Sequence, residues 1–360
     1  MDRELTLREL NRATLARQLL LERSELQPAE AIARVAGLQA QKRKMPYLGL
    51  WSRLRDFRRE QLHELAGRGE VVRASLMRFT LQLFTAADYA ELRADLQPAL
   101  TRNLIAFVGK RIEGLDREPV LAAARAALEQ RPLTFAELRE LLAERFPDWD
   151  TPALALLVRS ELPLVQVAGD PKWGWPATPA YALAAERVTP AKGPHELIRR
   201  YLAAFGPAKT ADVQAWSGLA GLRASVKELA PELESYRDEQ GKELLDLPGA
   251  PLPDADTPVP PLFLPELDNA ILSHADRSRM IADELRPRVF LTGGRVLATF
   301  LLDGFVAGTW KIEREGKRSS TLLIEPFGRL AKADRTALGE EGERLLRFAE
   351  GDAAAGVRFE

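Results

Sequence analysis

Apolar side chains recur at helical intervals from about residue 5 to residue 70, broken at Pro28 and Gly37, so the chain is expected to open as a bundle of short helices. At 71–84 the period changes. Phe79-Thr80-Leu81-Gln82-Leu83 alternates apolar with polar positions, and a period of two predicts a half-buried strand. Helical spacing returns over 86–145, where Thr134-Phe135-Ala136-Glu137 has the spacing of a capping box ahead of Leu138, Leu141 and Leu142.

Two short strands are expected within 164–184, flanking Asp170-Pro171-Lys172-Trp173-Gly174-Trp175-Pro176, whose prolines and glycine cannot continue a regular element. A helix pair followed by such a hairpin is the pattern of a winged helix. It begins again with helical spacing over 196–205 and 210–216, the second helix ended by Ser217-Gly218. Laying Gly37-Leu38 on Gly218-Leu219 sets Ile32 on Val213, Val35 on Trp216 and Ala36 on Ser217, a faint internal echo in which both helices stop at a glycine suited to a left-handed cap. Seven prolines over 248–265 read as an extended connection. Beyond them Gly293-Gly294 reads as a hairpin turn, and 296–302 and 305–312 form the clearest hairpin in the chain, because Asp303-Gly304 suits a type I′ turn. A third strand at 321–324 and an amphipathic helix at 334–350 complete the pattern.

A chain of 360 residues exceeds one hydrophobic core, and 46% hydrophobic with 29% charged residues is a globular balance. The absence of cysteine excludes a disulfide framework, a thiol nucleophile and a thiolate metal site, and fits a cytoplasmic address. The start Met1-Asp2-Arg3-Glu4-Leu5 has no signal-peptide pattern, and no apolar run is long enough to span a membrane. With 51 basic and 52 acidic residues, any grip on nucleic acid must come from clustering rather than net charge.

His63, His195 and His274 are widely separated, so a metal site is not expected, and no phosphate-binding glycine loop or nucleophile elbow is present. The unusual segment is Gly37-Leu38-Gln39-Ala40-Gln41-Lys42-Arg43-Lys44. In extended backbone residues two apart share a face, so Gln39 and Gln41 can point into one cleft if Gly37 ends the preceding helix. Lys42, Arg43 and Lys44 suit phosphate contact; the plainer reading is a solvated polar stretch. His274, Arg277, Ser278 and Arg279 are open to the same pair of readings, groove contacts or an exposed helix start with an internal ion pair. Arg73 and Arg78 either face DNA or anchor acidic neighbours. Trp51, Trp173, Trp175, Trp216 and Trp310 are expected in the core or between domains.

Together, Ala36-Gly37-Leu38-Gln39-Ala40-Gln41, the stretch 72–83, Trp216-Ser217-Gly218-Leu219, Leu264-Pro265-Glu266-Leu267-Asp268, 274–279 and Val306-Ala307-Gly308-Thr309-Trp310 resemble the AlkZ/YcaQ-type winged-helix DNA glycosylases over nearly the whole chain. The resemblance implies an α+β fold of three tandem winged-helix domains (1–115, 116–190 and 191–360) around a C-shaped, DNA-binding channel. It implies excision of N7-alkylated purines, with interstrand crosslinks as further substrates, by a monofunctional and monomeric enzyme. No cofactor is implied. The setting would be cytoplasmic and nucleoid-associated, with self-resistance to an alkylating toxin as one role.

Gln39-Ala40-Gln41 matches the family's double-glutamine signature, which assigns Gln39 and Gln41 the catalytic role. An N7-alkylated purine is cationic and leaves without a general acid, so oriented amide oxygens need only place a water and stabilise the developing sugar cation. The family commonly has Met-Arg-Gly-Thr-Leu-His where this chain has Met77-Arg78-Phe79-Thr80-Leu81-Gln82, so Thr80 and Gln82 join Arg73 and Arg78 as expected DNA contacts, and Phe79 and Gln82 bear on lesion preference. The hairpin at Asp303, Gly304 and Phe305 is expected to probe the minor groove. The alternative is a non-catalytic winged-helix DNA binder, either a regulator or a lesion-shielding protein, which sequence-selective affinity would reveal.

Overall fold

A computed structural model describes residues 3–185, 187–316 and 319–360; Met1 and Asp2, the start of the segment lacking a leader pattern, lie outside it. Fifteen α-helices and several sheets give a mixed α+β architecture among the described residues. The opening helices are Leu7–Arg17, Pro28–Arg34, Met45–Arg53 and Arg59–Gly67. Pro28 sits at the first turn of its helix, where its missing N–H costs nothing. Gly37, at φ 83°, turns the chain out of that helix; a Cβ there would lie 2.4 Å from the Phe84 ring.

The region 71–84 is not one strand. It is a hairpin of Val71–Ser75 and Leu81–Thr85 joined by the short turn Met77–Phe79, so Phe79 lies in the turn and the alternation belongs to the strand that follows. These strands sit inside a six-stranded antiparallel sheet in the order Leu38–Gln39, Leu81–Thr85, Val71–Ser75, Leu164–Gln166, Ala180–Leu183 and Leu133–Thr134. The sheet therefore draws on both 1–115 and 116–190. The capping box at the helix Phe135–Arg145 is closed in both directions: Glu137 N donates to Thr134 Oγ1 at 3.2 Å, and Glu137 Oε2 accepts from Thr134 N at 2.8 Å.

A five-stranded sheet runs Leu262–Leu264, Thr299–Leu302, Phe305–Glu315, Ser319–Pro326 and Ala354–Phe359, covered by the helix Lys332–Glu350. Its first strand comes from the proline-dense stretch, which is thus more than a connection. Asp303 at φ 48° and Gly304 at φ 83° form its tight turn, and Gly293-Gly294 turns a smaller hairpin. The chain's first strand, Arg3–Leu5, pairs in parallel with Glu234–Asp238, which in turn pairs with Glu243–Asp246.

Buried arginines tie these parts together. Arg17 grips Asp246 with two bonds of 2.6 Å and also donates to the carbonyls of Leu202 and Pro251. Arg53 grips Asp268 at 2.8 and 2.9 Å. Such forked pairs tolerate burial because both carboxylate oxygens and the guanidinium N–H groups facing them are bonded. One apolar core joins Trp51, Trp173, Trp175, Phe263, Trp310 and Leu345, and a second holds Phe84, Tyr201, Phe205 and Trp216, so the tryptophans expected in the interior lie there.

Candidate functional site

The turn at Gly37 delivers the chain onto the edge of the six-stranded sheet, where Gln39 stands opposite Gln82. Ala40 N donates to Leu81 O at 2.9 Å, holding the segment extended as far as Gln41. Both glutamine side chains then converge on the backbone of one residue, Leu81. Gln41 Oε1 accepts from Leu81 N at 3.1 Å. Gln39, with its amide oriented so that every atom meets a complementary partner, donates to Leu81 O at 3.3 Å and accepts from Gln82 Nε2 at 3.0 Å and Arg78 Nη2 at 3.1 Å.

The two amides differ in access. Gln39 is 5% exposed, with both lone pairs of its oxygen and one of its amide N–H groups engaged. Gln41 is exposed, its Nε2 and the second lone pair of its oxygen being left for a ligand or water. Thr80 bridges the group, its hydroxyl accepting from Gln82 Nε2 at 2.9 Å and donating to Met77 O at 3.0 Å.

Arginines hold this cluster from behind. Arg73 is buried and donates to Ala40 O at 2.8 Å, Gln41 O at 3.3 Å and Gln166 Oε1, so it fixes the peptide units that carry Gln41. Arg78 donates to Trp216 O and Ala215 O while reaching Gln39. Burial pushes both guanidinium groups down to about 10, and for Arg78 the nearby Arg277 cation adds to the effect. None of the hydrogen bonds made by Gln39, Gln41, Arg73, Arg78, Thr80 and Gln82 involves a carboxylate among the described residues.

The basic run after Gln41 is partly engaged. Lys42 is exposed and pairs with Glu266. Arg43 meets Asp170 and the Trp175 carbonyl, both at 3.0 Å. Lys44 is half-buried, and desolvation lowers its pKa against the opposing pull of Glu266.

Several expected DNA contacts fall elsewhere. His274 is 1% exposed and Arg279 5% exposed, so neither can reach DNA in this conformation. His274 Nε2 lies 3.1 Å from Phe205 O, which requires the Nε2–H tautomer and leaves Nδ1 without a partner. Arg279 donates to Pro207 O at 3.1 Å beside the buried Asp212. Arg73 and Gln82 are likewise buried and serve the glutamines from within. Arg277 and Ser278 remain partly exposed, Arg277 lying 4.5 Å over the Phe290 ring.

The Asp303-Gly304 hairpin is latched rather than free. Asp303 accepts from Arg8 and Arg12, Gly304 O accepts from Asn11 Nδ2 at 2.8 Å, and a Cβ on Gly304 would lie 2.5 Å from Asn11 Oδ1; Phe305 is half-buried. The hairpin is thus held against the helix Leu7–Arg17, with Asp303 at the surface and already engaged by two arginines. Among the described residues no group of three or more His, Asp or Glu side chains could hold a metal ion, and no helix is long and apolar enough to cross a membrane.

Gln166 was missed from sequence, although a lone polar residue in Leu164-Val165-Gln166-Val167 is a visible signal for an inward hydrogen bond. Position 218 echoes position 37 in a further sense. Gly218, at φ 79°, packs so closely that a Cβ there would lie 3.3 Å from the Arg78 backbone nitrogen, so both glycine-ended helices abut the hairpin that carries the site.

A sheet edge that presents paired amides, braced by arginines, can orient water and polar substrate groups without acid or base chemistry, and comparison with known families gives the class: a DNA glycosylase. The chain belongs to the AlkZ-like family, whose model, described as DNA glycosylase AlkZ-like, matches residues 32–348. No curated protein matches the chain. A solved structure of the Streptomyces sahachiroi DNA glycosylase AlkZ is similar in fold, with a TM-score of 0.79 at 19% identity, covering 99% of this chain and 100% of that one.

Proposed function

We propose that the protein hydrolyses the N-glycosidic bond of N7-alkylated purines in duplex DNA, as a cofactor-independent monomer, with crosslinked purines as further substrates. The observation that carries this reading is the division between an exposed Gln41 and a buried, three-bonded Gln39 on the backbone of the same residue, Leu81. In the reaction the C1′–N9 electron pair passes to the base and neutralises its positive charge. Water adds to C1′ and gives its proton to solvent. Gln41 holds that water through the free lone pair of its oxygen; Gln39 positions Gln41 by fixing Leu81.

A site without a carboxylate partner stabilises the sugar cation only weakly, which limits it to bases that already leave easily. This supports cationic lesions over neutral ones. A nearby Arg78 guanidinium would repel a cationic base brought too close, so its bond to Gln39, which spreads the charge into the amide network, matters to the same selectivity. Three winged-helix modules at 1–115, 116–190 and 191–360 would set this edge inside a C-shaped channel, with Lys42, Arg43, Arg277 and Ser278 toward phosphates. The helix-pair-and-hairpin unit at 135–183 and the paired glycine ends support that arrangement. Action at the nucleoid and a role in self-resistance would follow from the same substrate class.

The test is single-turnover release of 7-methylguanine from methylated duplex by wild type, Gln39→Ala and Gln41→Ala. Gln41→Ala should release base about 100-fold more slowly at unchanged affinity, and Gln39→Ala should lose both rate and some thermal stability. A second reading, a lesion-shielding binder, draws on the burial of Gln39 away from substrate; tight binding to the lesion with no base release by wild type would favour it.

A further inference from the structure

The helix Gln97–Val108 carries two apolar side chains in water, Phe107 at 67% exposure and Ile105 at 50%. Large side chains this exposed are uncommon on a chain that buries its other aromatics, and these two stand beside the site. The Phe107 ring lies 6.3 Å from the Phe79 ring, centroid to centroid, and Phe79 follows Arg78, which bonds Gln39.

Phe79 is itself held in an uncommon state. Arg78 and Phe79 both have left-handed backbone, at φ 55° and 62°. For a bulky residue this conformation is strained and persists only where the surroundings fix it. Phe107 on one side and the Arg159 guanidinium 4.7 Å over the ring supply the fixing.

The segment that carries the patch has charges of one sign, with Glu161 against its first turns and Asp150 beside Arg111. From Gln97 to Ile112 there is no acidic residue, while Arg102, Lys110 and Arg111 are present. Arg102 donates to Gly218 O, and Arg111 reaches Asp150 at 3.3 Å. Lys110 and Arg159 make no ion pair among the described residues, and Arg159 Nε is buried without a partner. Exposed aromatic surface set among unneutralised cations fits the stacked bases and phosphates of nucleic acid better than a protein face, which would bring acids of its own or an apolar rim.

We propose that Phe107, backed by Phe79 and flanked by Arg102 and Lys110, is a DNA-contacting wedge that stacks on a base next to the lesion while Gln41 addresses the sugar. The wedge rests on the proposed glycosylase reading for its place in the reaction, but its contact with DNA does not depend on base release.

The experiment uses the full chain and a duplex whose 7-methylguanine nucleotide carries a 2′-fluorine to resist cleavage, with 2-aminopurine as its neighbour. Wild type should change the 2-aminopurine fluorescence on binding. Phe107→Ala should abolish that change and weaken duplex affinity about tenfold, as loss of one base–aromatic stack does. Phe107→Trp should restore both and keep the unfolding midpoint of wild type, whereas Phe107→Ala should lower it slightly through the lost contact with Phe79. Phe107→Ala with wild-type affinity and an unaltered fluorescence change would overturn the proposal, as would a wild type that does not bind the duplex. So would a wild-type dimer in sedimentation that Phe107→Ala dissociates while DNA binding stays intact. Binding with the full signal but no release of base from an unfluorinated substrate would sink the glycosylase reading alone.

Discussion

Two polar, basic runs, 37–44 and 274–279, look alike in the sequence and end in different places. The first crosses a sheet edge and keeps Gln41 and Lys42 in water. The second turns inward, so that His274 and Arg279 join Asp212, Phe205 and Tyr201 in the interior. The difference lies in the acceptors each run meets. Phe205 O and Pro207 O, left open where the helix His195–Phe205 ends, lie where Arg279 can serve them. The glutamine run lies along a sheet edge where Leu81 offers its N–H to Gln41 and its C=O to Gln39, so Gln39 is drawn inward while Gln41 stays in water.

The contrast breaks most readily at Arg279. Arg279→Ala should destabilise the protein by about 3–5 kcal/mol, since it leaves the buried Pro207 carbonyl without its donor and removes the cation that attracts the buried Asp212, and a chemical denaturation midpoint reads it directly; a stable, DNA-defective variant would return Arg279 to the DNA surface. Next in size is Arg73→Lys. A single ammonium cannot span Ala40 O, Gln41 O and Gln166, so about 2 kcal/mol should be lost, and base release should slow about tenfold with duplex Kd unchanged. A change in Kd alone would mean that Arg73 touches DNA after all.

The third prediction concerns pH. Burial, with help from the Arg279 charge, pushes His274 down to about 3 from its ordinary 6.5. Between those values the unfolded chain binds a proton that the folded one refuses. Its contribution is therefore complete above pH 6.5 and shrinks as pH falls, by up to about 1.4 kcal/mol per pH unit. His274→Gln should flatten the acid limb of a melting-temperature profile; an identical limb would place the acid sensitivity elsewhere. The smallest effect is expected at Arg277, which is partly exposed and makes no ion pair among the described residues. Arg277→Ala should leave stability unchanged, weaken duplex binding by a few-fold and reduce the slope of log affinity against log salt by about 1.

Much of the fold was legible because it rests on local signals. The Thr134 to Glu137 box, the Asp303-Gly304 turn and the glycine ends at 37 and 218 each act through neighbouring residues, and the sequence displays them whole. The pairing of Gln39 with Gln41 was legible as a shared face, and their convergence on Leu81 follows from it. What stayed hidden was long-range. Nothing near Arg279 announces carbonyls some seventy residues away, and nothing near Gly304 announces Asn11. The strand Leu262–Leu264 was masked for a related reason: its prolines argue against a strand, yet they flank the three residues that pair.

The parallel pairing of Arg3–Leu5 with Glu234–Asp238 has a consequence for synthesis on the ribosome. At roughly 5–20 residues per second, about 10–50 s pass between Leu5 and its partner strand. Throughout that interval the helix Leu7–Arg17 also waits for Asp246, Thr257 and Gly304, with Arg12 and Arg17 not yet matched. The segment made first is thus among the last to dock, and a nascent chain halted before residue 234 should leave it open to protease.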